Sequence, residues 1–181
     1  MIYVFLADGF EEIEALTPID LLRRAGREVV TVGVGGHRIT GAHGVEVTAD
    51  VCERDIAAIP DGLEMVVLPG GMPGAANLAA SGTVNRAIEF AHANSRVVAA
   101  ICAAPAVVLG KYPFTHGRRM TCYPGFEELL KSSVVTGNGV EEDGDLITAR
   151  GPGMAMSFAL ALVRRLEGAD AAEKLKGSLQ C

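Results

Sequence analysis

Apolar and polar positions alternate between two periods along this chain. Residues 2–7 are uninterruptedly apolar, the mark of a strand covered on both faces. From Glu11 to Ala25 the apolar residues Ile13, Leu16, Ile19 and Leu22 recur at spacings of three and four, which predicts an amphipathic helix stopped by Gly26. Val29–Val34 reads as a second strand. The glycine-rich alternation between Gly35 and Ala49 reads as short hairpin strands, an antiparallel excursion of the sheet. Met65–Leu68 is a third core strand, closed by the turn Pro69-Gly70-Gly71-Met72-Pro73-Gly74. A helix is predicted over Thr83–Ala93 with Thr83 near its cap, then a strand from Val97 that stops at Cys102, with a helix directly after it. Beyond Pro124 the pattern gives a short helix through Leu130, a strand at Val134–Thr136 and a hairpin around Glu142-Asp143-Gly144-Asp145. Pro152 opens a helix running through Met156–Leu166, and Ala169–Lys176 forms a terminal helix.

Strands that alternate with helices imply a mostly parallel sheet with helices on both faces. The 181 residues suit one domain over 1–181, with no linker, repeat or low-complexity segment. Ligands of such folds bind beyond the carboxyl ends of the strands. Three features fall there: Asp8-Gly9-Phe10-Glu11-Glu12-Ile13-Glu14, Leu68-Pro69-Gly70-Gly71 and Ile101-Cys102-Ala103.

Sixteen basic against twenty-two acidic residues give a net charge of −6, and no run of Lys or Arg exceeds two, so neither nucleic acid nor an anionic membrane is expected as a partner. The apolar N-terminal stretch is far too short to span a membrane, lacks a basic leader and runs into acidic residues. Cys52, Cys102, Cys122 and Cys181 lie far apart without metal-type spacing, which reads as reduced thiols in a cytoplasmic protein.

Cys102 carries the candidate chemistry. A cysteine on a tight strand-to-helix turn faces unpaired N–H groups that favour thiolate, the reactive form. The alternative is a small core residue, the common fate of a free cysteine. Glu14, in the first turn of its helix, is either a proton carrier reaching across the crevice or a solvated acid favoured by the helix dipole. Glu11 and Glu12 are read as solvated acids. For Gly70 and Gly71 the sequence alone favours the reading as turn residues.

Asp8-Gly9-Phe10-Glu11-Glu12-Ile13-Glu14-Ala15 with Pro18-Ile19-Asp20 and Arg23-Arg24-Ala25-Gly26, then Leu68-Pro69-Gly70-Gly71, Ala100-Ile101-Cys102-Ala103-Ala104-Pro105 and Arg150-Gly151-Pro152-Gly153, together resemble the ThiJ/PfpI family of the class I glutamine-amidotransferase-like superfamily. The resemblance covers nearly the whole chain. It implies a three-layer α/β/α flavodoxin-like sandwich, with Cys102 as the elbow cysteine, Glu14 as the acid beside it, and the N–H groups of Gly71 and Ala103 facing the reacting oxygen. Gly70, Tyr123 and Arg150 become candidate substrate contacts. The implied activity is cofactor-free and metal-free conversion of 2-oxoaldehydes such as methylglyoxal to a 2-hydroxy acid, in a homodimer. The alternative is a redox-responsive stress protein or chaperone that uses oxidation of Cys102. Family peptidases place a histidine in the segment equivalent to Thr121-Cys122-Tyr123-Pro124. This chain has Tyr123 before the proline and His37, His43, His92 and His116 elsewhere, so acyl transfer lacks its usual base and proteolysis is disfavoured.

Overall fold

The computed structural model describes residues 1–181. In chain order the elements are β1 (Ile2–Ala7), α1 (Glu12–Arg24), β2 (Val29–Val34), β3 (Arg38–Thr40), β4 (Glu46–Thr48), β5 (Val51–Cys52), β6 (Met65–Leu68), α2 (Gly74–Ala80), α3 (Gly82–Ala93) and β7 (Val97–Ile101). There follow β8 (Arg119–Met120), β9 (Val134–Val135), β10 (Val140–Asp143), β11 (Leu146–Ala149), α4 (Ala155–Glu167) and α5 (Ala169–Ser178).

Seven strands form the central sheet in the order β10-β11-β7-β6-β1-β2-β5. All neighbours run parallel except β10, which returns antiparallel to β11 through the predicted hairpin. Every residue of β1, β6, β7 and β11 is buried, which explains why these strands read as unbroken apolar runs. The chain leaves β1 towards β2 on one side and later leaves β6 towards β7 on the other. Right-handed crossovers in opposite directions put α1 and the α2–α3 pair on opposite faces. Accordingly α4 packs against both α1 and α5, while α3 covers β6 and β7 and α2 packs against β1. The mostly parallel sandwich predicted from the alternation is the fold observed.

Some local expectations are corrected. The hairpin strands β3 and β4 form a separate two-stranded sheet rather than an excursion of the main one, and β8 pairs with β9 in another. The turn after β6 leads into an unforeseen helix, α2, whose Gly-Ala-Ala-Asn-Leu-Ala-Ala sequence carries almost no periodic apolar signal. The cap of α3 is Ser81, whose side chain accepts from the Val84 N–H, and not Thr83. In α1, Ile13 and Leu16 point outward, 54% and 38% exposed, while Glu12, Glu14, Ala15, Pro18, Leu21 and Leu22 face inward with Ile19. The charged residues Glu12 and Glu14 therefore occupy positions that the spacing assigned to the polar face.

Candidate active site at the Cys102 elbow

Chain direction changes sides at β1, so the carboxyl ends of β1 and β6, with β7 beyond, form the crevice that this topology offers to ligands. After β1, Phe10 and Glu11 turn the chain over the end of β6, and the Glu11 N–H donates to the Gly70 carbonyl at 3.0 Å. Helix α1 begins at once. Its inward face, on which Glu14, Pro18 and Leu21 follow one another at helical spacing, carries the Glu14 carboxyl into the protein at 0% exposure. There its Oε2 accepts from the Gly70 N–H at 2.9 Å, while Oε1 is buried and accepts no hydrogen bond. The Cys102 side chain is the polar group facing that carboxyl, close enough for their charges to interact but outside strict hydrogen-bond geometry.

Cys102 follows β7 with φ of 66°, a left-handed conformation that few residues other than glycine adopt. The Cys102 N–H donates to the Ala149 carbonyl at 2.8 Å, and the Cys102 carbonyl accepts from the Tyr123 N–H at 2.8 Å, so the strained residue is pinned from both neighbours. The expected helix after it is one short π-helical turn, Pro105–Leu109, ended by Gly110. Five residues, two of them valines, supply too little aligned backbone for a full helix dipole.

The electrostatics correct the simple picture of a dipole-stabilised thiolate. Burial, then the Glu14 carboxylate, push the Cys102 thiol up to about 12, against the opposing pull of the Gly71 and Ala103 N–H groups. Burial, the largest cause, together with Glu11 raises the Glu14 carboxyl to about 7, while the thiol and the Gly70 N–H oppose the rise. With Cys102 held as a thiol, the charge acting upward on Glu14 is that of Glu11. Each group resists ionisation while the other is ionised, so the pair shares protons. With Glu14 ionised, Cys102 is a thiol. A thiolate forms in company with protonated Glu14 and the two backbone donors.

The glycines are fixed by crowding. A Cβ on Gly70 would stand 2.7 Å from the Cys102 Cβ and 2.7 Å from Glu14 Oε2. Gly71, at φ of 85°, would drive one into the backbone of Phe10 and Glu11. Gly70 is therefore fixed by its closeness to Cys102 and Glu14, and Gly71 by the chain that enters α1. Tyr123 and Arg150 lie beside Cys102 on an adjoining cavity of about 330 Å³, whose wall continues through Pro124, Gly151, Pro152, Gly153 and Met154.

Sequence reasoning underrated Glu12. It is 7% exposed, and its Oε1 holds the turn between β3 and β4 by accepting from the N–H groups of His43 and Val45 at 2.8 and 3.3 Å. His43 Nδ1 lies 3.0 Å from Glu12 and 3.4 Å from Glu11, so these three side chains are the group positioned to share a cation. None of the histidines partners Cys102. His43 is held by the acids, His37 by Asp55, His92 stacks on Phe114 at 4.3 Å between centroids, and His116 is exposed. Cys122 is buried, with its thiol raised to about 11 by burial and then by Glu127, as suits a core residue.

The DJ-1/PfpI family profile matches residues 1–165. The chain belongs to the DJ-1/PfpI family. It is 35% identical over 176 residues to Protein DJ-1 homolog B of Arabidopsis thaliana, covering 96% of this chain and 40% of that protein, less than half of the relative's length. A Caenorhabditis elegans protein named glutathione-independent glyoxalase DJR-1.2 is 30% identical over 176 residues, covering 91% of this chain and 87% of that one. Among solved structures, oxidized Toxoplasma gondii DJ-1 superposes with a TM-score of 0.92 at 32% identity, covering 99% of this chain and 97% of the other. The family and its flavodoxin-like α/β sandwich are those that the motifs imply.

Proposed function

We propose that this DJ-1/PfpI protein is a cofactor-independent enzyme of the glyoxalase type, converting 2-oxoaldehydes such as methylglyoxal to 2-hydroxy acids through Cys102 and Glu14. The observation that supports it most is the pairing of one buried, proton-holding carboxyl with one buried thiol beneath two backbone donors. The sulfur of Cys102 adds to the aldehyde carbon, and the Glu14 proton goes to the carbonyl oxygen, giving a hemithioacetal. The Glu14 carboxylate then takes the proton from the former aldehyde carbon, leaving an enediolate whose negative oxygen is held by the Gly71 and Ala103 N–H groups. The hydroxyl proton passes from the oxygen of the former aldehyde carbon to that of the neighbouring carbon, and return of the Glu14 proton to this second carbon gives the Cys102 thioester of the 2-hydroxy acid. Water hydrolyses the thioester, releasing lactate in the case of methylglyoxal and restoring the thiol. Gly70 positions Glu14, and Tyr123 and Arg150 border the substrate's entry.

The name of the nematode relative supports the same chemistry, and its 87% coverage by this chain means that the likeness extends over nearly the whole of that protein. The reaction run in deuterium oxide tests the route. Exchange of the Glu14 proton with solvent puts deuterium on C2 of the lactate, whereas a direct hydride shift would leave that carbon free of it.

A second reading, oxidation of Cys102 to a sulfinate held by protonated Glu14 and the same N–H groups, draws support from the oxidized form in which the Toxoplasma relative was solved. Peptidase chemistry is disfavoured, because no imidazole reaches the cysteine. All four cysteines are free, as suits a reducing compartment such as the cytoplasm, and no helix is long and apolar enough to cross a membrane. The outward Ile13 and Leu16 of α1 and the exposed Val45 are the apolar surface through which we propose that two copies form a homodimer.

A further inference from the structure

Three residues with donors, Tyr123, Arg150 and Gly151, line the cavity beside Cys102 together with Pro124, Pro152 and Met154. Arg150 follows β11, and because β11 pairs in parallel with β7, its backbone is the register neighbour of Cys102, about 5 Å away across the sheet. The guanidinium makes no ion pair and no hydrogen bond, whereas nearly every other arginine of the chain is held by a carboxylate or a carbonyl, as with Arg23, Arg27, Arg118 and Arg119. The Gly151 N–H belongs to a buried residue and also makes no hydrogen bond, which is uncommon for buried backbone. The Tyr123 hydroxyl is likewise unengaged. No carboxylate lies among the residues that line the cavity, in a chain whose acids outnumber its bases by six.

We infer that this cavity is an oxyanion subsite of the Cys102 centre, in which Arg150, the Gly151 N–H and the Tyr123 hydroxyl hold a carboxylate or phosphate carried by the electrophile. The subsite deepens the reading of Cys102 as a nucleophile and does not depend on the reaction that follows. Arg150 is then a specificity-determining residue: the favoured substrates are short electrophiles with an anionic group one or two bonds beyond the reacting carbon. A planar fork of guanidinium donors suits either anion. Space of about 330 Å³ is ample for a molecule of a few carbons plus its oxyanion. Electrostatics sharpen the expectation, because an ionised Glu14 beside the sulfur would repel an anion that nothing else held.

Two alkylating reagents of equal size isolate the effect. Iodoacetate and iodoacetamide both lose iodide to a cysteine sulfur, and only the first carries a carboxylate. The ratio of their rates at Cys102, read by mass spectrometry of the reduced full chain and set against the same ratio for free cysteine, is expected to favour iodoacetate by about tenfold or more. Arg150→Met should abolish the preference and Arg150→Lys should retain part of it, each ratio being taken against the same variant's own iodoacetamide rate. A wild-type ratio equal to that of free cysteine, or a preference that survives Arg150→Met, overturns the proposal. Inorganic phosphate, titrated calorimetrically, tests the second anion: binding lost in Arg150→Met supports a phosphate subsite, and protection against iodoacetate without protection against iodoacetamide places both anions in one site. If neither reagent alkylates Cys102, the nucleophile reading fails, and phosphate binding alone decides the subsite, its absence overturning it.

Discussion

Glu14 is a carboxyl with no solvent, one hydrogen-bond donor and a thiol for company. Replacing it by Gln keeps the shape and removes the transferable proton. Glu14→Gln is expected to cut turnover by about a hundredfold or more, the usual contribution of a positioned acid–base group, while Cys102 still reacts with iodoacetamide; equal turnover would end its role as proton carrier. The same carboxyl leaves a mark on stability. Its pKa is raised in the folded state, from 4.5 to about 7, so the folded chain binds the proton more tightly than the unfolded one. Its contribution is fully present below the unfolded value and is lost as pH rises through about 7. Urea midpoints of wild type and Glu14→Gln from pH 4 to 8 should therefore diverge in favour of the variant as pH rises, levelling off above neutrality. A difference that stays flat would mean that folding leaves the proton affinity of Glu14 unchanged. Glu14 was legible in the sequence only through the motif around it, because a first-turn acid on any helix has a sufficient local explanation in the dipole. Nothing in the pattern separates it from Glu12, which is also buried but serves the β3–β4 turn.

The elements show where the pattern carried information and where it did not. Core strands β1, β6 and β7 were readable because strands buried on both faces must be apolar throughout, and the β10–β11 hairpin was readable from its Asp143-Gly144 turn. Helix α1 was readable as a helix, but its inward face was not. Four leucine and isoleucine positions suggested one stripe, and tertiary packing against β1, β2 and α4 chose another. Helix α2 was hidden by alanines and by the glycine turn that opens it. The turn after Cys102 was overread as a helix, since Pro105 and the apolar run that follows fit either. Ser81 links two elements, capping α3 at Val84 while its hydroxyl donates to Glu53 at 2.5 Å. Ser81→Ala should cost about 1 kcal/mol of unfolding free energy, measured by urea denaturation, without changing the reactivity of Cys102. A neutral result would show that the cap and its carboxylate partner are replaced by water.

At the scale of the whole molecule, crossing over at β1 collects residues 14, 70, 102, 123 and 150 at one end of a single sheet. Distance along the chain is irrelevant to this convergence, which is why alternation and strand ends located the crevice before any side chain could be placed. Residues exposed on α1 were the part that pattern could not assign, because an apolar residue facing outward looks the same in sequence as one facing in. Ile13→Glu combined with Leu16→Glu is expected to convert a dimer to monomer in light scattering after size exclusion, with the fold kept by circular dichroism. Unchanged mass in the double variant would place the contact elsewhere. The central claim is chemical, and one measurement bears on it most directly: lactate formed from methylglyoxal by the reduced protein without glutathione or added metal, beside Cys102→Ser. The account predicts steady turnover in the wild type and its loss, by at least about a hundredfold, in the folded serine variant. Equal lactate production by both proteins, or none by the wild type, would contradict it.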